Sequence, residues 1–372
     1  MDDTSQLNPT SGTGRQKILF GREHQDSFLR DVRKRVDAYF QSRNIPKTAN
    51  ARMVVKTILI LIGWIATYTF ILSNLLPAYA LLLLALCHGF LTAMIGLNIG
   101  HDAIHGSYSR RAGVNRKLGL FFNLIGANDY VWRISHNIVH HTYTNIPHHD
   151  EDINQPGVLR LERSQKLRRI HRFQHIYAFL VYGLASLSWV FVKDYVKMFQ
   201  RQLGGHYRSS IPRKEIIRLF AYKALYYSVF LVVPLVVIHL PWYWILLGFM
   251  LAHFVEGFTL AIIFMLAHII EGTAFPEPGP NGKLDMSWGD LQMHTTCNFA
   301  VRNPLVNYLF GGLNFQVEHH LFPNVCHIHY PRISEIVRQT SRAHNLPYLE
   351  KKTFFGAIAS HRRMLKQLGT EE

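Results

Sequence analysis

The sequence predicts an all-α integral membrane protein, with four transmembrane helices in two hairpins and a cytosolic helical cap. Three observations carry this prediction. Four stretches are long and uncharged enough to cross a bilayer, the basic residues gather on one side of them, and histidines cluster at or beyond the span ends on that side. Of 372 residues, 48% are hydrophobic and 17% charged, against roughly 25% charged in an average soluble protein. An aromatic content of 13% excludes a disordered chain. The three scattered cysteines, Cys87, Cys297 and Cys326, exclude a disulfide scaffold. A formal charge of +16 on so apolar a chain implies greasy spans beside a basic face on anionic lipid. It does not indicate nucleic acid, because the basic residues track membrane flanks rather than one groove.

The first 56 residues hold no apolar core of the kind a cleavable signal has, so the spans themselves direct insertion. Residues 1–52 read as a cytosolic segment. Within it Phe28, Leu29, Val32, Val36, Tyr39 and Phe40 recur at helical spacing, with Arg30, Arg33, Lys34 and Arg35 between them. That amphipathic helix suits an anionic membrane surface or packing on the cytosolic domain, and the sequence leaves both open.

Residues 53–372 form the membrane domain. A bilayer core needs about 20 apolar residues as helix, and spans are predicted at about 57–76, 78–100, 221–240 and 242–268. Pro77 separates the first pair and Pro241 the second, giving two hairpins. Their turns carry no Lys or Arg, whereas Arg30, Arg33, Arg43, Lys47, Arg110, Arg111, Arg116, Lys117, Arg168 and Arg169 crowd the other ends. The positive-inside rule therefore puts both termini and the long middle segment in the cytosol. Ile176 to Val192 is also uncharged, but Arg172, Lys193 and Lys197 flank it. It and Leu118 to Asn128 are expected to lie at the cytosolic interface, and Pro276 to Gly282 to form a loop.

Three histidine clusters follow: His101-Asp-Ala-Ile-His105, His136-Asn-Ile-Val-His140-His141 and Gln316-Val-Glu-His319-His320. In a helix, positions i, i+3 and i+4 share a face, so each cluster presents its side chains one way. Imidazole suits iron, copper and zinc. Seven clustered histidines exceed the four ligands of a structural zinc, so the cap is expected to hold two metal ions, and a redox pair handling O2 fits that size. The fourth apolar run, Trp242 to Ile270, interrupted only by Glu256 among acids and bases, is about 43 Å long at about 1.5 Å per residue. Its last turns outrun a hydrocarbon core of about 30 Å and carry His268 towards the clusters as an eighth ligand. Asp102, Asp150, Asp152 and Glu318 lie in or beside the clusters and could fix imidazole tautomers or touch metal. His327 and His329 could line the site, with a weaker claim for His148 and His149. His88, His171, His175, His206, His239, His253, His294, His344 and His361 are expected to be ordinary satisfied or solvated residues. Glu256, an acid within the fourth span, is a functional candidate by default, with a hydrogen-bonded structural role as its alternative.

With these residues in place, the chain resembles the membrane fatty acid desaturases, whose three boxes read HxxxH, HxxxHH and QxxHH. The likeness is to the front-end branch, and within it to cyanobacterial acyl-lipid Δ6 desaturases. It rests on GHDAIHGSYS (100–109), WRISHNIVHHTYTNI (132–146), IFMLAHIIEGT (263–273), TTCNFAVRNP (295–304) and GGLNFQVEHHLFPNVCHIHYP (311–331), and it covers nearly everything from about Arg35 onward. The resemblance implies a di-iron centre held by His101, His105, His136, His140, His141, His268, His319 and His320, with no separate catalytic side chain. Gln316 stands where many desaturases have histidine, touching iron directly or through water. It further implies O2 as oxidant, membrane-lipid acyl chains as substrate, and a cis double bond as product, in a thylakoid or plasma membrane if the source is cyanobacterial. No His-Pro-Gly-Gly occurs, so no cytochrome b5 domain is expected and a separate donor such as ferredoxin supplies electrons. Trp132, Tyr143 and Phe315, beside the boxes, are expected either to shape an acyl channel or to pack in the core. Three alternatives remain: oxygen insertion by a di-iron hydroxylase with the same boxes, desaturation of acyl-CoA or at another carbon, and a metal carrier or sensor with ligands inside the spans.

Overall fold

The computed structural model describes residues 18–21, 27–154 and 157–371; residues 1–17 of the N-terminal segment lie outside the described residues. Helix α1 (Ser27–Ser42) buries Phe28, Leu29, Val32, Val36 and Phe40. These meet Ile333 and Val337 of a later helix, Tyr330–Ala343. Of the two readings left open for this amphipathic stripe, protein packing is the one observed.

Four helices are long and apolar enough to cross a membrane: α2 (Ala51–Leu72), α3 (Ala78–Ile104), α7 (Arg213–Val237) and α8 (Trp242–His268), with mean hydropathy of 1.9, 2.2, 1.7 and 2.0. Against the expected ranges, α8 has the same bounds and α3 runs on to Ile104, whereas α2 and α7 begin earlier and also end earlier, at Leu72 and Val237. Helix α2 starts earlier because Asn50 caps it, its side chain accepting from the Met53 N–H. Helix α7 starts at Arg213, just after Pro212, and charges that follow in it are paired. Arg218 bonds Asp129 at 3.2 Å and Glu215 at 2.7 Å, and Lys223 bonds Asp194 at 2.8 Å. A neutralised charge lets a helix run on where hydropathy alone reads an end. Asn74 ties the two short interhelical turns together, donating to the Val237 carbonyl at 2.9 Å and accepting from the His239 N–H at 2.7 Å.

Helices α3 and α8 form the most extensive pair. A Cβ built on Gly89 would fall 2.1 Å from the Ala252 carbonyl oxygen, while one on Gly96 would stand 3.6 Å from Leu260. Small residues of this kind let two spans approach backbone to backbone. Because residues 89 and 96 oppose 252 and 260 in order, the two helices run in the same direction, delivering His101, His105 and His268 to one end.

Between the spans, helix α4 covers 129–143, with π winding over Arg133–His140. Helices α5 (Arg169–Gly183) and α6 (Ala185–Phe199) meet at a bend of 60°, so the apolar run at 176–192 forms no straight span. They expose Ile176, Leu180, Phe191 and Val196. Short helices Ala112–Gly119 and Phe121–Leu124 occupy the other interfacial candidate. Residues 276–282 are a loop, followed by Lys283–Leu284 paired in parallel with Leu19–Phe20. The C-terminal third supplies α9 (Trp288–Thr295), α10 (Gln316–Leu321), α11 (Tyr330–Ala343) and α12 (Phe354–Thr370). A core including Leu97, Ile263, Leu266, Phe299, Leu313 and Leu365 joins α12 and the segments around Phe299 and Leu313 to α3 and α8.

Candidate metal centre

Two wide turns build the site. Helix α3 changes to π winding over Ile95–Gly100, and the His101 N–H bonds the Gly96 carbonyl. In α4 the His141 N–H likewise bonds the His136 carbonyl, five residues back. The sequence reading assumed α-helical spacing; the observed π turn corrects it. An i→i+5 turn winds more widely, so His136 lies beneath both His140 and His141, and the Nε2 atoms of His136 and His141 are 3.3 Å apart.

The boxes converge although more than 200 positions separate the first from the last. Ring centroids of His101 and His319 are 4.5 Å apart, of His105 and His141 4.8 Å, and of His141 and His320 4.4 Å. His268 lies 4.7 Å from His140 and 5.0 Å from His320. Ligand atoms of His101, His105, His136 and His319 all lie within 4.8 Å of one another, as do those of His140, His268 and His320, and those of His141, His319 and His320. Apart from His105, every one of these residues is at most 6% exposed.

One ring nitrogen on four of them is held by the protein. His140 Nδ1 donates to Asp150 at 3.0 Å and His320 Nδ1 to the Gln292 side-chain oxygen at 2.7 Å. His268 Nδ1 donates to the Thr295 carbonyl at 3.2 Å, and His319 Nδ1 bonds the Tyr330 hydroxyl at 3.3 Å. The opposite nitrogens are a different matter. Nε2 of His101, His105, His140, His319 and His320, Nδ1 of His141 and the Gln316 side-chain oxygen are buried with no hydrogen-bond partner. Each such orphan costs about 1–3 kcal/mol, and a cation among them removes the penalty from all at once. Burial, reinforced by neighbouring imidazoles, drives His136, His141, His319 and His320 well below the ordinary imidazole value, as it does His105. They are therefore neutral, the form that binds metal. At His140 burial also opposes charge, but the Asp150 carboxylate outweighs it and raises the value. An all-nitrogen donor set, too large for one tetrahedral ion, fits a pair of metal ions.

The other candidates divide. The Gln316 amide nitrogen is 3.2 Å from His268 Nε2, inside the cluster. Asp150 holds His140, and Asp152 lies 3.5 Å from His140 Nδ1. Asp102 faces away, accepting from His327 Nδ1 at 2.8 Å and Cys326 Sγ at 3.0 Å, with Lys56 bonded to the other His327 nitrogen. Glu318 also faces away, accepting from Asn298 and the Tyr348 hydroxyl, each at 2.8 Å. Its position after Val317 turns it from the face that His319 and His320 share. His329 bonds the Thr48 carbonyl, His148 bonds Ser164, and His149 bonds the Pro147 carbonyl. Among the aromatics, Trp132 stacks on His136 at 4.1 Å, whereas Tyr143 and Phe315 pack in separate core clusters.

Two apolar cavities lie in the membrane domain, one of them against the cluster. The nearer, with an empty volume of about 410 Å³, is walled by His101, Phe122, Trp132, Leu260 and Phe264 among others. The larger, about 820 Å³, lies among α2, α3, α7 and α8. Residues missed by the sequence reading are Gln292, Trp288, Thr295 and Tyr330; none sits in a spaced pattern, and only folding brings them to the imidazoles. Gln292 does most, also accepting from Thr144 at 2.9 Å, while Trp288 donates to the His141 carbonyl at 2.9 Å. Gln292→Leu is expected to weaken metal binding by about 10–100-fold, the usual loss when such a partner is removed. Metal titration of the purified protein checks it, and wild-type affinity would refute the role.

Comparison with known proteins places this geometry. The fatty acid desaturase family matches residues 73–352. The chain is 36% identical to the sn-1 linoleoyl-lipid 6-desaturase of Arthrospira platensis over 95% of both chains. It is 35% identical to the protein of that name from Synechocystis sp., over 95% of this chain and 98% of the other. An acyl-lipid (8-3)-desaturase of Physcomitrium patens is 33% identical over 99% of this chain and 77% of its own length. Apolar spans, a buried histidine cluster able to hold metal and this extent of likeness lead to one conclusion: the chain belongs to the fatty acid desaturase family, whose members are iron-dependent, O2-using oxidoreductases of lipid acyl chains.

Proposed function

We propose that the protein is a front-end desaturase that introduces a cis double bond at Δ6 into polyunsaturated acyl chains of membrane lipids. The observation that carries this reading is the apolar cavity that starts at His101 and Trp132 and leads between α3 and α8. Its apolar lining suits a polymethylene chain laid beside the cluster, and the two 6-desaturase relatives point to the carbon. Overall, –CH2–CH2– plus O2, two electrons and two protons gives –CH=CH– plus two waters.

His101, His105, His136, His140, His141, His268, His319 and His320 are the proposed ligands of two iron ions, with Gln316 beside them. Iron held there supplies the O2-dependent oxidising power that removes two hydrogens from unactivated carbons. The chain's own residues do the rest. Asp150, Gln292, Tyr330 and the Thr295 carbonyl hold one nitrogen of their imidazoles and aim the other inward. Trp132, Phe264 and Leu260 keep water out and hold the acyl chain against the cluster, since rate depends on fixing one carbon pair in place.

The spans form two hairpins under a cytosolic cap that carries the site. Both termini are cytosolic, with residues 1–52 preceding the membrane domain 53–372. The basic flanks suit an acidic one-electron donor such as ferredoxin. Expression in a host fed linoleate, followed by chromatography and mass spectrometry, tests the reading. A new double bond at C6 is expected; a hydroxylated chain without one would favour the oxygenase instead.

A further inference from the structure

We propose that a polar partition inside the membrane domain, made by Glu256, Ile125 and the hydrogen-bonded set Ser186, His253 and Tyr226, stops the methyl end of the acyl chain and so sets the chain length accepted. This rests on the desaturase reading above.

The two cavities share two wall residues, Ile125 and Glu256. Ser186 faces the nearer cavity, and His253 and Tyr226 the farther one. The three are bonded in a row, Ser186 Oγ to His253 Nδ1 at 2.7 Å and His253 Nε2 to the Tyr226 hydroxyl at 3.0 Å. Glu256 Oε2 lies 3.5 Å from His253 Nδ1. The partition is thus polar and internally bonded, between two apolar spaces. A methylene pushed through it must break buried hydrogen bonds, which is costly where nothing replaces them.

Its depth matches a chain end. Helices α3 and α8 run side by side with Gly89 against Ala252 and Gly96 against Leu260, so Glu256 is level with about residue 93 of α3. The eight residues from there to His101 rise about 12 Å. Carbon–carbon bonds of about 1.5 Å advance an extended chain by about 1.3 Å each. About ten carbons therefore fit between the cluster and the partition, close to the eleven beyond C7 of an 18-carbon chain. The ester and head group, being polar, stay on the other side of the cluster.

The test uses linoleate and all-cis-9,12-eicosadienoate, which differ only by two carbons at the methyl end, fed in equal amounts to cells expressing the full chain. Wild type is expected to desaturate the 18-carbon acid preferentially. Ile125→Ala and Glu256→Ala each open the partition and are expected to raise the ratio of 20- to 18-carbon product by about ten-fold, since one methylene in an apolar pocket is worth about 10–200-fold. Iron content of the purified variants reports their folding. Equal use of both acids by wild type overturns the proposal without any variant, as does a wild-type ratio in either iron-loaded variant. A wild-type protein that makes no new double bond at all would instead sink the desaturase reading.

Discussion

His140→Ala is expected to leave no measurable desaturation and an incomplete iron complement, a larger loss than any neighbouring substitution. His140 belongs to the group with His268 and His320 and has a buried Nε2 with no protein partner. Removing it leaves that group two imidazoles. Asp150→Asn makes the informative comparison. The Asp150 carboxylate accepts from His140 Nδ1 at 3.0 Å and from the Asn145 and Asp152 N–H groups, each at 2.9 Å. An amide of the same shape keeps one acceptor oxygen but not the charge that favours a firmly held Nδ1–H. Loss of such a partner costs about 10–100-fold in metal affinity or activity, so D150N should lie between wild type and H140A. Iron per chain in detergent-purified protein, read beside product formed, separates the two effects. Full iron and full activity in H140A would mean that the cluster is not the metal centre.

Much of this site was legible because its spacing is local. HxxxH, HxxxHH and QxxHH each sit on one helical stretch, so a reader of the chain can see that their side chains share a face. The long fourth helix likewise announced His268, and α8 ends at that residue. Three things were not legible. The π turns at 95–100 and 133–140 leave no mark in hydropathy, yet the second brings His141 into line with His136. Gln292 reaches His320 and Thr144 from a segment with no pattern of its own. Glu318 sits between box residues in sequence but turns to Asn298 and Tyr348, because it stands two positions after Gln316, off the i, i+3, i+4 face that Gln316, His319 and His320 share. Charge misled in the third span, where Arg218 fell outside the expected range although its partner Asp129 comes from another element.

Gly89→Ala is expected to lower activity about 100-fold, although residue 89 lies about 18 Å along α3 from His101 at 1.5 Å per residue. An Ala in place of Gly within a helix ordinarily stabilises it by roughly 0.5–1 kcal/mol. Here the added carbon would stand 2.1 Å from the Ala252 carbonyl oxygen and 2.9 Å from its Cα. Backbone cannot swing aside as a side-chain tip can, so the helices must part. Overpacking of this kind costs about 1–3 kcal/mol. Helix α3 carries His101 and α8 carries His268, so parting them displaces the two halves of the cluster relative to each other. A misplacement of about 1 Å is enough for a 100-fold loss in rate. Gly248→Ala is the control on the same helix pair, since its carbon would meet Ala85 at an ordinary 3.7 Å. It should melt at or above the wild-type temperature and keep wild-type activity. If both glycine variants behave alike in thermal melts and in product formed, the α3–α8 contact does not govern the geometry of the cluster.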